Sequence, residues 1–174
     1  MAAKTTPYEV ELDISDMERN YYRTHRFTLA RGASETEERL MVRLIAFACQ
    51  AGDGISFGEG PDEPVLWKRD PKGGVELWVE VGEPDDKRLL KACGRAKQVV
   101  VYSCASSAQG WWNQVGGKVE RDNITVYHIR GVATSALSKL AERSMKLHCM
   151  IQDGQVWLTG GEETVQLDID TIKV

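Results

Sequence analysis

Polar and apolar residues alternate over 7–15, with Val10, Leu12 and Ile14 on one side, and this predicts a β-strand. A second strand is predicted over 21–30 through Phe27 and Leu29. The polar stretch 13–20 between them predicts a hairpin with a generous loop. From 34 to 50 the period becomes helical. Ser34 and Glu37 have the spacing of a capping box, which closes two free amides at a helix start, and Leu40, Met41, Leu44, Ile45, Phe47 and Ala48 make a broad apolar face. Residues 52–74 are rich in Gly, Pro and Asp, and their apolar islands at 55–57 and 65–67 predict two short strands joined by a loop over 58–64.

The strongest strand signal is 75–82, VELWVEVG. Leu77, Val79 and Val81 share one face and Glu76, Trp78 and Glu80 the other, so apolar side chains on both faces predict a central strand. Pro84, Asp85 and Asp86 suit the positive end of a helix reaching about residue 96. A buried strand over 97–103, a short helix over 105–115, a strand over 124–129 and a helix over 134–143 follow. That alternation predicts right-handed parallel crossovers. In the tail, 147–151 and 156–158 flank Gln152-Asp153-Gly154-Gln155, a hairpin signal, and 164–169 is the last strand. The predicted fold class is α/β (α+β), one compact domain over 1–174. Its core, 34–130, builds a mixed sheet with helices. The N-terminal hairpin 7–30 and the C-terminal strands 146–170 build a second, antiparallel sheet.

Composition narrows the function classes. With 174 residues, 42% hydrophobic and 28% charged, the chain can bury a core unaided. A net charge of -4 means that any contact with nucleic acid needs a local basic patch. Cys49, Cys93, Cys104 and Cys149 show no CxxC spacing and read as free thiols of a reducing compartment. The N-terminus lacks an apolar signal core, and the longest apolar run, 40–51, contains Arg43 and Gln50 and is too short for a bilayer. A soluble cytoplasmic protein with no membrane partner is expected. No Walker loop, GxGxxG, GxSxG or HExxH is present.

Three carboxylates stand in unusual places. Glu38 lies on the helix stripe of Met41, Val42 and Ile45, Asp62 in the loop Pro61-Asp62-Glu63-Pro64, and Glu80 inside the best strand. A buried carboxylate is costly unless it is paired or holds a cation. Oxygen ligands from separate elements are what Mg²⁺ or Mn²⁺ takes. Each residue also has an ordinary reading: Glu38 as a helix-start or exposed residue, Asp62 as a turn residue, Glu80 as half of a salt bridge. Arg88, Lys91 and Arg95 form a basic stripe on the following helix. Arg88 and Lys91 lean toward the strand end that holds Glu80, whereas Arg95 reads as a solvated residue. Trp111-Trp112 reads as core packing rather than a base-stacking pair. His25, His128 and His148 are scattered without ligand spacing and receive no role.

The order helix with Glu38, short strands flanking Asp62, strand with Glu80, helix, strand resembles the core of the PD-(D/E)XK nuclease superfamily. At whole-chain level the sequence is identified as a member of the YaeQ family of bacterial proteins. The resemblance rests on residues 38–44 (ERLMVRL), Pro61-Asp62-Glu63-Pro64, residues 77–82 (LWVEVG), Pro84-Asp85-Asp86-Lys87-Arg88 with Lys91-Ala92-Cys93, and Ile151-Gln152-Asp153-Gly154. It implies a nuclease-like fold and a family without an assigned activity. Carried over residue by residue, it implies that Asp62, Glu80 and the backbone carbonyl of Val81 hold Mg²⁺ or Mn²⁺, with Glu38 completing the site. Gly82 stands where the motif has lysine. The resemblance makes Lys91 the first replacement for that amine and Arg88 the second, in a metal-dependent hydrolysis of phosphodiesters in nucleic acid or another phosphorylated substrate. The alternative is a nuclease-like fold without catalysis, acting as a binding or regulatory protein.

Overall fold

A computed structural model describes residues 5–130 and 134–174. The N-terminal segment read as lacking a signal begins with 1–4, outside the described residues. The fold is mixed α+β, and the chain divides into two units, residues 1–49 with 131–169 and residues 50–130 with 170–174.

In the first unit, β1 (Thr6–Asp16) and β2 (Tyr21–Arg31) pair antiparallel from Thr6↔Arg31 to Asp16↔Tyr21. The loop is therefore far shorter than the polar stretch 13–20 suggests. Asp13 and Ser15 are polar because they face outward, while Val10, Leu12 and Ile14 are buried. Asp16 closes the turn from a buried position. Its carboxylate accepts from the Glu18 and Arg19 amides at 3.0 and 3.2 Å and pairs with Arg19 Nε at 2.7 Å. Four anionic hydrogen-bonding sites meeting three N–H donors is what makes a carboxylate tolerable there.

The first helix, α1 (Glu37–Gln50), starts later than Ser34. Thr36 is its cap: the hydroxyl accepts from Arg39 N at 3.1 Å and the carbonyl from Leu40 N at 3.1 Å. Glu37, freed from a capping-box role, accepts from the Tyr8 hydroxyl at 3.0 Å. Phe47 of α1 meets His25 and Phe27 of β2, each with ring centroids 5.1 Å apart.

The strands β8 (Ser144–Gln152), β9 (Gln155–Gly160) and β10 (Glu163–Lys173) complete this unit, β10 as far as Ile169. Their order with the hairpin is β2-β1-β8-β9-β10. The β8–β9 turn is the two-residue Asp153-Gly154, with φ of 53° and 75°, the handedness hairpins prefer. The two chain ends do combine, but β1 runs parallel to β8, from Glu9↔Ser144 to Asp16↔Ile151. The expected antiparallel arrangement is thus mixed at this seam. The helix predicted over 134–143 is the shorter α4 (Thr134–Leu140).

The second unit contains β3 (Ile55–Phe57), β4 (Leu66–Arg69), β5 (Val75–Val81), α2 (Asp86–Arg95), β6 (Ala96–Ser103), α3 (Ala108–Val119) and β7 (Ile124–Arg130). β3, β4 and β5 are antiparallel, and β5, β6 and β7 are parallel through the crossovers α2 and α3. Trp78, Leu89, Cys93, Val99, Val101, Ile124 and Val126 form the core under these helices, and Trp67, Trp111 and Trp112 pack on its margin. Both adjacent tryptophans are therefore packing residues, as expected. α3 extends past the predicted end, and within it Gly116 leaves space for the Trp112 ring, 2.9 Å from where a Cβ would stand. At the start of α2, Asp85 is the cap and Pro84 precedes it, so the helix begins two residues later than the proline signal suggests.

Candidate functional site

Glu80 sits on β5 opposite Val101 of β6, with only 4% of its surface exposed. A carboxylate buried between parallel strands requires donors. Two converge on its Oε1: the Trp78 indole donates at 2.7 Å and Arg88 Nε at 2.9 Å. Trp78 is two residues away on the same strand face, and Arg88 comes from the first turn of α2. The cap fixes that turn, since Asp85 Oδ1 accepts from Arg88 N at 2.8 Å and the Asp85 carbonyl from Leu89 N at 3.1 Å.

The rest of the Arg88 fork holds the loop that carries Asp62. Nη1 donates to the Pro61 carbonyl at 2.7 Å and Nη2 to the Glu63 carbonyl at 3.0 Å. Both neighbours of Asp62 are thus fastened by one guanidinium. The loop is closed further by Glu63 N on the Gly60 carbonyl at 3.2 Å, and it joins β5 through Val65 N on the Val79 carbonyl at 3.0 Å. Asp62 itself is exposed. Lys91, one turn beyond Arg88, is exposed, and Val81 is buried in the strand. Glu38 is half-buried on α1 and belongs to the first unit, whereas Asp62, Glu80, Val81, Arg88 and Lys91 belong to the second.

Gly82 ends β5 with φ of 106° and donates its amide to the Tyr102 carbonyl at 2.8 Å. An L side chain is strained in that conformation. That conformation favours glycine at this position. Arg95, expected to be solvated, lies with its guanidinium 5.3 Å from the Trp78 ring centroid while remaining exposed.

Glu80 Oε1 accepts from two N–H groups, one of them cationic. Among the described residues no three His, Cys, Asp or Glu side chains gather to hold a metal ion. The charge that balances Glu80 is internal.

Outside this centre, a shallow groove of about 560 Å³ opens on the outward face of β2, β1 and β8, lined by residues including Glu11, Arg26, Ser144 and Lys146. None of the sequence-chosen site residues lines it. On the same face Ser15 Oγ and His148 Nε2 are 3.0 Å apart. Sequence spacing could not find this pair, because the partners lie 133 residues apart. The pairing of β1 with β8 is its only signal. No disulfide joins the four cysteines; Cys93 and Cys149 are buried, and burial pushes both thiols above their ordinary range.

A family model described as YaeQ protein matches residues 1–169. The protein of Escherichia coli K12 named uncharacterized protein YaeQ is 36% identical over 97% of this chain and 96% of its own. The Salmonella typhi protein of the same name gives the same figures. The crystal structure of YaeQ from Xanthomonas axonopodis pv. citri superposes with a TM-score of 0.92 at 40% identity, covering 98% of this chain and 99% of that one. The YaeQ structure from Pseudomonas syringae gives 0.91 at 30% identity over 98% and 97%.

Proposed function

The chain belongs to the YaeQ family, and on that footing we propose that it is a nuclease-like protein that binds nucleic acid without hydrolysing it. One observation carries this reading. Arg88 bonds Glu80, the carboxylate that the resemblance would make a metal ligand, and is held against it by further bonds to the Pro61 and Glu63 carbonyls. A guanidinium balances the carboxylate charge but has no bound water to activate. The glycine conformation at position 82 supports the same reading, since it leaves no amine next to the acid.

The partner is inferred from α2. Lys87, Lys91 and Arg95 are all exposed and recur every fourth residue, about 6 Å apart along the axis. This stripe supplies a local basic patch on an acidic chain.

A second reading, a hydrolase using Mg²⁺ or Mn²⁺ at Asp62, Glu80 and the Val81 carbonyl with Lys91 as the amine, is favoured by the tethering of Asp62 through its two neighbours to the residue that binds Glu80.

Calorimetric titration with Mn²⁺ separates the two. The binding reading expects equal heats from the intact protein and Glu80→Ala, and no cleavage of DNA or RNA with Mn²⁺ present. It also expects salt-dependent binding of a labelled oligonucleotide that weakens in the double variant Lys87→Glu/Lys91→Glu. Heat that disappears with Glu80, or cleavage that disappears in Asp62→Asn, overturns it in favour of the hydrolase. Absence of oligonucleotide binding at low salt removes the proposed partner.

A further inference from the structure

Asp13 and Ser15 lie on the outward face of β1, and Met17 follows two residues later in the turn. The parallel register sets Asp13 opposite His148 and Ser15 opposite Met150 on β8, and the antiparallel register sets Ser15 opposite Tyr22 and Asp13 opposite Thr24 on β2. Directly opposed same-face residues in a sheet are in contact range. Ser15 Oγ lies 3.0 Å from His148 Nε2, and Asp13 Oδ1 accepts from the Thr24 hydroxyl at 3.3 Å. A hydroxyl, an imidazole and a carboxylate thus stand as neighbours on one rigid surface.

Apolar exposure is concentrated at the same spot. Among the described residues three large hydrophobics are exposed, Met17 at 41%, Tyr22 at 60% and Val174, and the first two flank Ser15. Met150 and, opposite it on β9, the half-buried Trp157 continue that shelf. On the other side, the next same-face row is Arg26–Glu11–Lys146. It is internally paired, with Glu11 accepting from Arg26 at 2.8 Å and Lys146 standing at 3.7 Å. The groove of about 560 Å³ opens at that row.

From this juxtaposition we propose that Ser15 and His148 form a nucleophile–base pair for hydrolysis of small uncharged esters, the apolar group resting on Tyr22 and Met17. The pair works in the tautomer whose Nε2 is unprotonated, so that the Ser15 hydroxyl donates to it. As Oγ bonds to the ester carbonyl carbon, the proton passes to Nε2. The carbon–oxygen bond to the alcohol breaks, and the alcohol leaves with that proton. Water attacks the acyl-Ser15 carbonyl, gives a proton to Nε2, and the carboxylic acid departs as Oγ recovers a proton.

The test uses the whole protein with a fluorophosphonate probe and with p-nitrophenyl butyrate. Peptide mass spectrometry is expected to place the phosphonate on Ser15. Ser15→Ala is expected to lose both labelling and hydrolysis. His148→Asn is expected to slow hydrolysis by about 10²- to 10⁴-fold, the range of a general base. Both side chains point outward, so thermal unfolding of the variants is expected to match the parent and to exclude misfolding as the cause. Failure of the probe to reach Ser15, or equal hydrolysis by the intact protein and Ser15→Ala, overturns the proposal.

Discussion

Arg88 is the side chain on which the second unit's centre depends. It bonds a strand carboxylate and two loop carbonyls while its own amide is capped by Asp85. Replacement by methionine leaves the buried Glu80 carboxyl without its cationic partner, and breaking such a pair from one side costs on the order of 3 kcal/mol. Urea unfolding of Arg88→Met is expected to show that loss. Arg88→Lys keeps the charge but lacks the planar fork, so it is expected to recover only part of it. Gly82 makes a contrasting prediction. With φ of 106° the backbone there resists any side chain, so Gly82→Lys, which would restore the motif amine, is expected to lower stability by about 1–3 kcal/mol in the same assay. That a glycine follows Val81 is visible in the sequence. The backbone angle at that glycine was not legible there.

At the level of elements, helix and strand identities follow from periodicity, and the errors lie at their ends. Ser34 and Thr36 are both credible caps, and only the hydrogen bonds to Arg39 and Leu40 choose between them. Thr36→Ala is therefore expected to cost about 1 kcal/mol in denaturant midpoint, and Ser34→Ala much less. The turn between β1 and β2 was overestimated because outward polar residues of a strand look like loop residues, and because Asp16 is buried although polar. Its neutralisation by Arg19, three residues on, was the local clue. Glu80 and Trp78 were legible as sharing a face, and the lean of Arg88 toward them follows from helix spacing. The meeting of Ser15 with His148 was not legible. It depends on which strands become neighbours, a property carried by the whole set of apolar faces rather than by either residue.

The molecule as a whole has a pH window set from both sides. Burial, with a smaller contribution from Arg23, lowers the His25 pKa; its ring packs on Phe47 and its Nε2 meets the Tyr21 hydroxyl at 2.7 Å. The unfolded chain therefore takes up that proton first, and stability is lost as pH falls below the ordinary histidine value of 6.5. Burial raises the Cys149 pKa, so the folded thiol stays neutral while the unfolded one ionises, and stability is lost as pH rises above 9.0. Thermal midpoints measured from about pH 5 to about pH 10 are expected to form a plateau between these limits. His25→Gln is expected to flatten the acid limb and Cys149→Ala the alkaline one. No helix among the described residues is long and apolar enough to cross a membrane.

The parallel seam between β1 and β8 also has a meaning for biosynthesis. Glu9 must wait for Ser144 before that ladder can start. At about 5–20 residues per second, a ribosome needs on the order of ten seconds to deliver the missing strand. During that interval the newborn hairpin carries a vacant seam with Val10, Leu12 and Ile14 uncovered by β8, a template for stray strands in a crowded cell. Stalling translation just before codon 144 is thus expected to yield nascent chains that recruit holdase chaperones, and release beyond codon 152 to free them.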